Sequence, residues 1–518
     1  MTTDVEEPTT AAAASPARRA GRLRPFVAGA VTGLSGAATS VAAASLLRLD
    51  SNPVLDVAAV VRDLTPGPVA ELLIGVVQHL DKPLLVAGTA LGLIALTGWA
   101  GVRAAHRPWQ GYVVLAVLGA VGLAGVLHQK HPTPASFLPL IVGLATWLVL
   151  LPWLVGAAVR AETEVTGRRA FLTRTAGTFA ASLVVTGLAG WWGQARSKAE
   201  EARRLLRLPV RTGAVPVGAN LRVDGVEPWR TPNEDFYLIN VELSIPTITP
   251  DDWSLRIHGM VDQPLVITYD QLARRQLTQE WITLCCVSNE VGGDLISNAF
   301  WSGVLVRDLL AEAGVKDGAD AVKTTSQDGW TCGTPLSALT DVNRNAMLAL
   351  AMNGKPLPLE HGFPVRMVVP GLYGYVSATK WLVDLEVTRF SDFSAYWTQN
   401  GWSPLGPVKT ESRIDVPRSG QQVEAGKRRV GGSAWSQHTG IAKVEYQLDG
   451  KAWQSADLGT VPGNDTWVQW AGEVDLSGGD HVLVVRATDQ SGYTQTAARA
   501  DVVPDGATGW HTVHFSAR

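Results

Sequence analysis

Cysteine is scarce: the chain has three in 518 residues, Cys285, Cys286 and Cys332. That excludes a disulfide-built scaffold, and no Cys-x-x-Cys-His run is present to attach a c-type haem. Charge is scarce as well. Charged residues make up 18%, against about 25% in ordinary soluble domains. A basic surplus is missing: 44 Lys plus Arg against 47 Asp plus Glu leaves −3, so no nucleic-acid partner is expected. The sequence shows no convincing internal repeat. What remains is apolar. The apolar share is 46% and the mean hydropathy +0.10, which places part of the chain in lipid. The length accommodates three to four domains of about 150 residues.

Five charge-free stretches fall in the first 200 residues, at 25–47, 83–102, 108–127, 136–159 and 175–193. Each is close to the ~20 residues a helix needs to span a bilayer. The first is rich in Ala, Gly, Ser and Thr, which suits close helix packing. Trp191 and Trp192 suit an interface belt at the end of the fifth. A sixth apolar piece, 69–80, is too short to span and contains Glu71 and His79, so an interfacial or re-entrant segment is expected. Basic residues gather in the tail (1–24) and in the second-to-third and fourth-to-fifth loops. By the positive-inside rule these are cytoplasmic, and everything after the fifth span is extracytoplasmic.

The fourth-to-fifth loop carries Thr166-Gly167-Arg168-Arg169-Ala170-Phe171-Leu172, a twin-arginine-like export motif before a weakly hydrophobic span. Positive-inside flanking alone accounts for the arginine pair; the following Phe-Leu favours export. Twin-arginine export moves folded proteins, which usually means a cofactor loaded before export. The soluble half is expected to be α+β over 225–395, after a linker at 194–224. Short alternating runs at 408–518, separated by turns such as Asp449-Gly450, predict a β-sandwich.

All three cysteines lie in the α+β region. Cys285-Cys286 ends a predicted strand and enters a polar turn, Val287-Ser288-Asn289. A thiolate there is a nucleophile or a soft-metal ligand; a buried thiol acting as a small hydrophobe is the plainer alternative. No second Cys or His has zinc-ligand spacing. Downstream, His361, Arg366 and Lys380 form a set that can converge on a phosphate, because Arg and Lys neutralise and orient its oxygens. Taken singly, each is more often a surface charge or a satisfied core group.

In this order and combination the motifs resemble the sulfite-oxidase superfamily of molybdopterin oxidoreductases, in a membrane-anchored, actinobacterial-looking form. They are Thr231-Pro232-Asn233-Glu234-Asp235-Phe236-Tyr237, Asn240, Cys286-Val287-Ser288-Asn289, Met352-Asn353-Gly354, and His361-Gly362-Phe363-Pro364-Val365-Arg366. The resemblance covers 225–395 as the molybdopterin domain and 408–518 as an immunoglobulin-like dimerisation domain. It implies a molybdenum–molybdopterin cofactor with Cys286 as the metal ligand. It also implies that His361, Arg366, Ala378, Thr379 and Lys380 hold the pterin and its phosphate, and that Tyr237 and Asn240 wrap the cofactor near the metal. Asp328 to Thr334 match a loop that approaches the site.

The departures bear on substrate. Where sulfite oxidases have two arginines and a tyrosine, this chain has Ile239, Val291 and Leu350. A sulfite dianion would then have little compensation for lost hydration, and a neutral sulfoxide-type substrate fits better. Four spans beyond a single anchor suggest exchange with a quinone or membrane redox partner. His79, His128 and His131 admit a haem site, although interfacial, solvated histidines explain them more simply. The expected fold is a transmembrane bundle, an α+β molybdopterin domain and a β-sandwich that supports a homodimer. The competing class is a non-catalytic membrane binding or scaffold protein built on a degenerate molybdopterin fold.

Overall fold

The computed structural model describes residues 16–47, 49, 51–65, 81–129, 132–192, 195–241 and 245–518. The chain forms two compact units that divide at residue 196. The expected interfacial piece at 69–80, with His79, lies outside the described residues, as does His131.

The first unit is helical: α1 (Pro16–Leu46), α2 (Pro53–Leu64), α3 (Asp81–His106), α4 (Pro108–His128), α5 (Leu138–Thr163) and α6 (Val165–Trp192). Among the described residues, five stretches are long and apolar enough to cross a membrane: Gly21–Leu46, Lys82–His106, Pro108–His128, Pro134–Glu162 and Thr166–Leu188. The small residues of α1 act as expected. A Cβ on Gly29 would fall 2.1 Å from the Thr97 carbonyl of α3, and one on Gly36 would meet the Trp147 ring of α5 at 2.0 Å. Glycine therefore sets how closely these helices approach. Ser35 and Ser182 share a hydrogen bond of 2.8 Å, and Thr39 and Thr146 one of 2.9 Å. The Arg24 guanidinium donates to the Ala161 carbonyl at 2.7 Å, so the start of α1 and the end of α5 share one end of the bundle. The fifth span begins earlier than the charge-free run at 175–193, because the helix continues back through Arg168 and Arg169. There Arg174 lies over the Trp153 ring, 5.0 Å from its centroid. His128 pairs with Asp63 at 2.8 Å.

A short polar helix, α7 (Ala195–Leu205), leads into the second unit. Its strands run β1 (Ser254–Gly259), β2 (Leu265–Thr268), β3 (Thr278–Cys285), β4 (Ile296–Leu305), β5 (Ala321–Ser326), β6 (Thr331–Pro335), β7 (Met347–Met352), β8 (Lys355–Pro356), β9 (Arg366–Val368) and β10 (Leu382–Thr388). They make two sheets. One has the order β2-β1-β10-β5-β6, with β1 and β10 parallel; the other is β3-β4-β7-β8, with β9 on β7. Strand β3 is buried on both faces. Trp281 and Cys285 enter one core cluster, while Ile282 and Leu284 enter another. The period-two alternation of a strand thus commits Cys285 to the core, and Cys286 follows just past the strand end.

Residues 408–518 form two further sheets. The first takes β11 (Glu411–Val416), β13 (Gly426–Trp435), β17 (Val468–Leu476) and β16 (Asp457–Leu458). The second takes β12 (Gln422–Val423), β19 (His511–Ala517), β18 (Gly479–Asp489), β14 (Ile441–Leu448) and β15 (Gln454–Ser455). Alternate residues of both enclose one apolar core that includes Val444, Tyr446, Trp470, Val485 and Phe515.

Candidate active site

A cavity of about 120 Å³ opens beside the end of β3. Its lining includes Tyr237, Asn240, Cys286, His361, Arg366, Ala378 and Lys380, so seven residues singled out in the sequence meet in one place. Thr379 does not line it. Its hydroxyl faces the other way and shares a 2.6 Å hydrogen bond with Thr324 of β5, fully buried. Ala378 and Lys380 thus face the cavity, while Thr379 between them faces β5.

The local folding that builds the site is specific. Gly362 has φ +101, and a Cβ there would meet Lys380 at 2.9 Å and Arg366 at 3.1 Å. Only glycine takes that conformation at no cost, and it turns the chain so that His361 and Arg366 both reach the cavity. Asn353 (φ 52) and Gly354 (φ 76) form the tight β7–β8 hairpin. The Asn353 side chain donates to the Thr231 carbonyl at 3.0 Å and to Asn233 at 2.7 Å. The Met-Asn-Gly motif therefore fastens the segment that leads to Tyr237, and takes no place in the lining.

Arg366 is buried, yet forms no ion pair among the described residues. Its guanidinium donates to the His361 carbonyl at 3.3 Å and lies 5.1 Å over the Trp301 ring. Burial pushes it down to about 10, so it remains a cation at neutral pH. The His361 imidazole is held down at about 3, chiefly by burial and then by the charges of Arg366 and Lys380. Its Nε2 lies 3.2 Å from the Asn233 carbonyl, so the neutral ring carries its proton on Nε2. The Lys380 ammonium donates to the Ile239 carbonyl at 2.8 Å and to the Asn240 side-chain oxygen, which ties the segment 237–241 to the loop 377–381. The Cys286 thiol is raised by burial, with Ser288 hydrogen bonds and the Lys380 charge acting the other way. Burial likewise keeps the Tyr237 phenol protonated.

Several lining residues gave no usable signal in the sequence: Tyr375, Trp397 and Trp402. Aromatics in loops look like core or linker until the loops are placed. The turn between β5 and β6 contributes Ser326, Asp328 and Trp330, in the loop matched from Asp328 onward. The Ser326 hydroxyl and the Trp330 indole N–H are buried without hydrogen-bond partners among the described residues. Of the three departures from the sulfite-oxidase pattern, Ile239 lines the cavity. Leu350 is fully buried in the core, and Val291 lies beside Gly509 of the C-terminal region. Those two positions do not shape this pocket.

The donor set suits a molybdenum–pterin group. A soft sulfur faces the cavity, and a buried guanidinium without a carboxylate and a lysine ammonium can meet a phosphate. A neutral imidazole adds a hydrogen-bonding edge without further charge. Residues 242–397 match the model of the oxidoreductase molybdopterin binding domain. Mitochondrial sulfite oxidase of Macaca fascicularis is 29% identical over 368 residues, which is 59% of this chain and 66% of that protein. The uncharacterized oxidoreductase YuiH of Bacillus subtilis (strain 168) is 32% identical over 176 residues, 32% of this chain and 85% of that protein. The crystal structure of the sulfane dehydrogenase SoxCD from Paracoccus pantotrophus matches with 25% identity and a TM-score of 0.48, covering 56% of this chain and 82% of that one. The chain spans between half and two thirds of the length of the mammalian sulfite oxidases it matches. On the motifs, the domain match and these relatives, the chain belongs to the sulfite-oxidase superfamily of molybdopterin oxidoreductases.

Proposed function

We propose that the protein is a membrane-anchored oxidoreductase with an extracytoplasmic catalytic unit, and that it transfers an oxygen atom to or from a small neutral substrate of the sulfoxide type. The observation that carries this reading is the cavity in which Cys286 meets Arg366, His361 and Lys380. When bound, the molybdenum–pterin group supplies two-electron redox chemistry. The chain supplies the rest. The Cys286 sulfur holds the metal. Arg366 and Lys380 meet phosphate charge, while neutral His361 and Tyr237 offer polar edges without further charge. Ile239, Tyr375, Trp397 and Trp402 give the cavity an apolar wall.

That wall argues against sulfite. The lining cations are Arg366 and Lys380, and the phosphate of the bound pterin would take up both. An entering dianion would lose hydration without gaining a dedicated partner. A sulfoxide carries no net charge. Its reduction takes two electrons and two protons and yields a thioether and water.

The membrane placement rests on the five apolar helices, the clustered basic residues and the arginine pair at the start of α6. Four spans beyond an anchor support electron exchange with a quinone or a membrane redox partner. The two-sheet region 408–518 suits an immunoglobulin-like dimerisation domain. Turnover tests the reading. Detergent-purified protein with dithionite-reduced viologen as electron donor is expected to reduce dialkyl sulfoxides. Rapid sulfite oxidation with ferricyanide, and no sulfoxide reduction, would overturn it.

A further inference from the structure

Strand β3, which delivers Cys286, is an edge strand of its sheet. An edge strand leaves backbone N–H and C=O groups unpaired unless something covers them. Here the C-terminal sandwich covers them. The Thr283 N–H donates to the Asp465 carbonyl at 2.9 Å, and the Gln437 side-chain amide donates to the Thr283 carbonyl at 3.1 Å. The Trp467 N–H donates to the Thr283 hydroxyl at 2.8 Å, and that hydroxyl donates on to Asn298 of β4 at 3.0 Å. Three residues before Cys286, every polar group of Thr283 is thus used, mostly by the sandwich.

The same sandwich grips the chain after Cys286. The buried Arg413 of β11 donates to the Gly293 carbonyl at 2.9 Å. Its guanidinium is held by Asp415 at 2.7 Å and Glu227 at 2.9 Å. Gly292, at φ +83, lies against the His511 ring of β19, where a Cβ would come within 2.3 Å. Between the two grips the turn closes on itself: Cys286 N–H to the Leu295 carbonyl at 2.9 Å, and Leu295 N–H to the Asn289 side chain at 2.8 Å.

We infer that the C-terminal sandwich is a positioning element for the Cys286 turn, with Gln437 fixing the strand before it and Arg413 the loop after it. This rests on the reading of Cys286 as metal ligand. It assigns the sandwich a task inside one chain, independent of any dimer. A ligand sulfur held from both flanks keeps one orientation when the metal site is filled and when it is not.

Gln437→Met keeps the side-chain volume and removes the donor. Gln437→Asn is the milder change, should the first fail to fold. The first readout uses full-length protein made without cofactor synthesis, and measures alkylation of each cysteine by mass spectrometry. Cys286 is expected to label about fivefold faster or more, through local opening, while Cys332 in β6 stays protected. The second readout uses cofactor-loaded protein, where the Mo(V) paramagnetic resonance signal is expected to shift with molybdenum content unchanged. Unchanged labelling and an unchanged signal would overturn the inference, as would equal acceleration at Cys286 and Cys332. Wild-type protein that never takes up molybdenum would instead overturn the proposed function, and the labelling contrast would still decide the positioning role.

Discussion

Arg366 is the residue on which the cofactor reading depends most. It is a buried cation without a carboxylate among the described residues, and a buried charge left unpaired costs several kcal/mol. A phosphate at the cavity would supply the missing anion. Arg366→Met is therefore expected to fold, and even to gain thermal stability in cofactor-free protein, while losing at least about tenfold in retained pterin, since charge-assisted hydrogen bonds are the strong ones. Pterin release, read by fluorescence after oxidation, checks this; full retention would remove Arg366 from the cofactor site. Ile239 tests the substrate argument at the same scale. It lines the cavity and is 44% exposed, so a longer cation can be accommodated there. Ile239→Arg is expected to lower the KM for sulfite and raise that for sulfoxides. Unchanged constants would show that this wall does not select by charge.

At the scale of elements, the site depends on turns more than on strands. The Gly362 turn brings His361 and Arg366 to one cavity, and any Cβ there meets Lys380. Gly362→Ala is expected to cost about 1–3 kcal/mol in stability from the strained conformation alone, with loss of pterin binding beside it. Thermal unfolding and pterin content measure the two effects. This turn was legible in the sequence as His-Gly-Phe-Pro-x-Arg because its chemistry is local. The same holds for Cys286, which follows a short apolar strand, and for the five apolar helices. The Thr379 hydroxyl meets Thr324 and not the cavity, because a motif gives sequence neighbours while the path of the chain decides which of them face the site. Val291 and Leu350 stand outside the lining for a related reason. Their place depends on how β7 and the loop after Cys286 pack, which no single segment encodes. Trp397, on the short helix Tyr396–Gln399, and Trp402 just after it come to the cavity from the segment beyond β10, a long-range placement without local signature.

For the whole molecule, buried titratable groups set how stability varies with pH. Burial raises Glu411 in β11 to about 8 and leaves one of its oxygens without a partner among the described residues. The folded state keeps it neutral, while the unfolded chain ionises near 4.5. Its stabilising share is present below about 4.5 and is lost as pH rises towards 8. His361, held at about 3, and His511, at about 4, act in the opposite sense. The unfolded chain takes up protons near 6.5 that the folded state refuses, so stability is full above 6.5 and falls as pH drops towards 3 to 4. Glu411→Gln is expected to flatten the alkaline limb and leave the acid limb intact. Unfolding midpoints at about pH 5 and pH 8 check it; a variant that parallels wild type at both would refute the assignment.

Every role proposed for the site requires that Cys286 hold molybdenum. Elemental analysis of detergent-purified full-length protein, expressed with an intact cofactor pathway beside a Cys286→Ala sample, tests it most directly. Stoichiometric molybdenum is expected in the wild-type chain, and its loss from the variant. Wild-type protein without molybdenum, or a variant that retains it fully, would contradict the account.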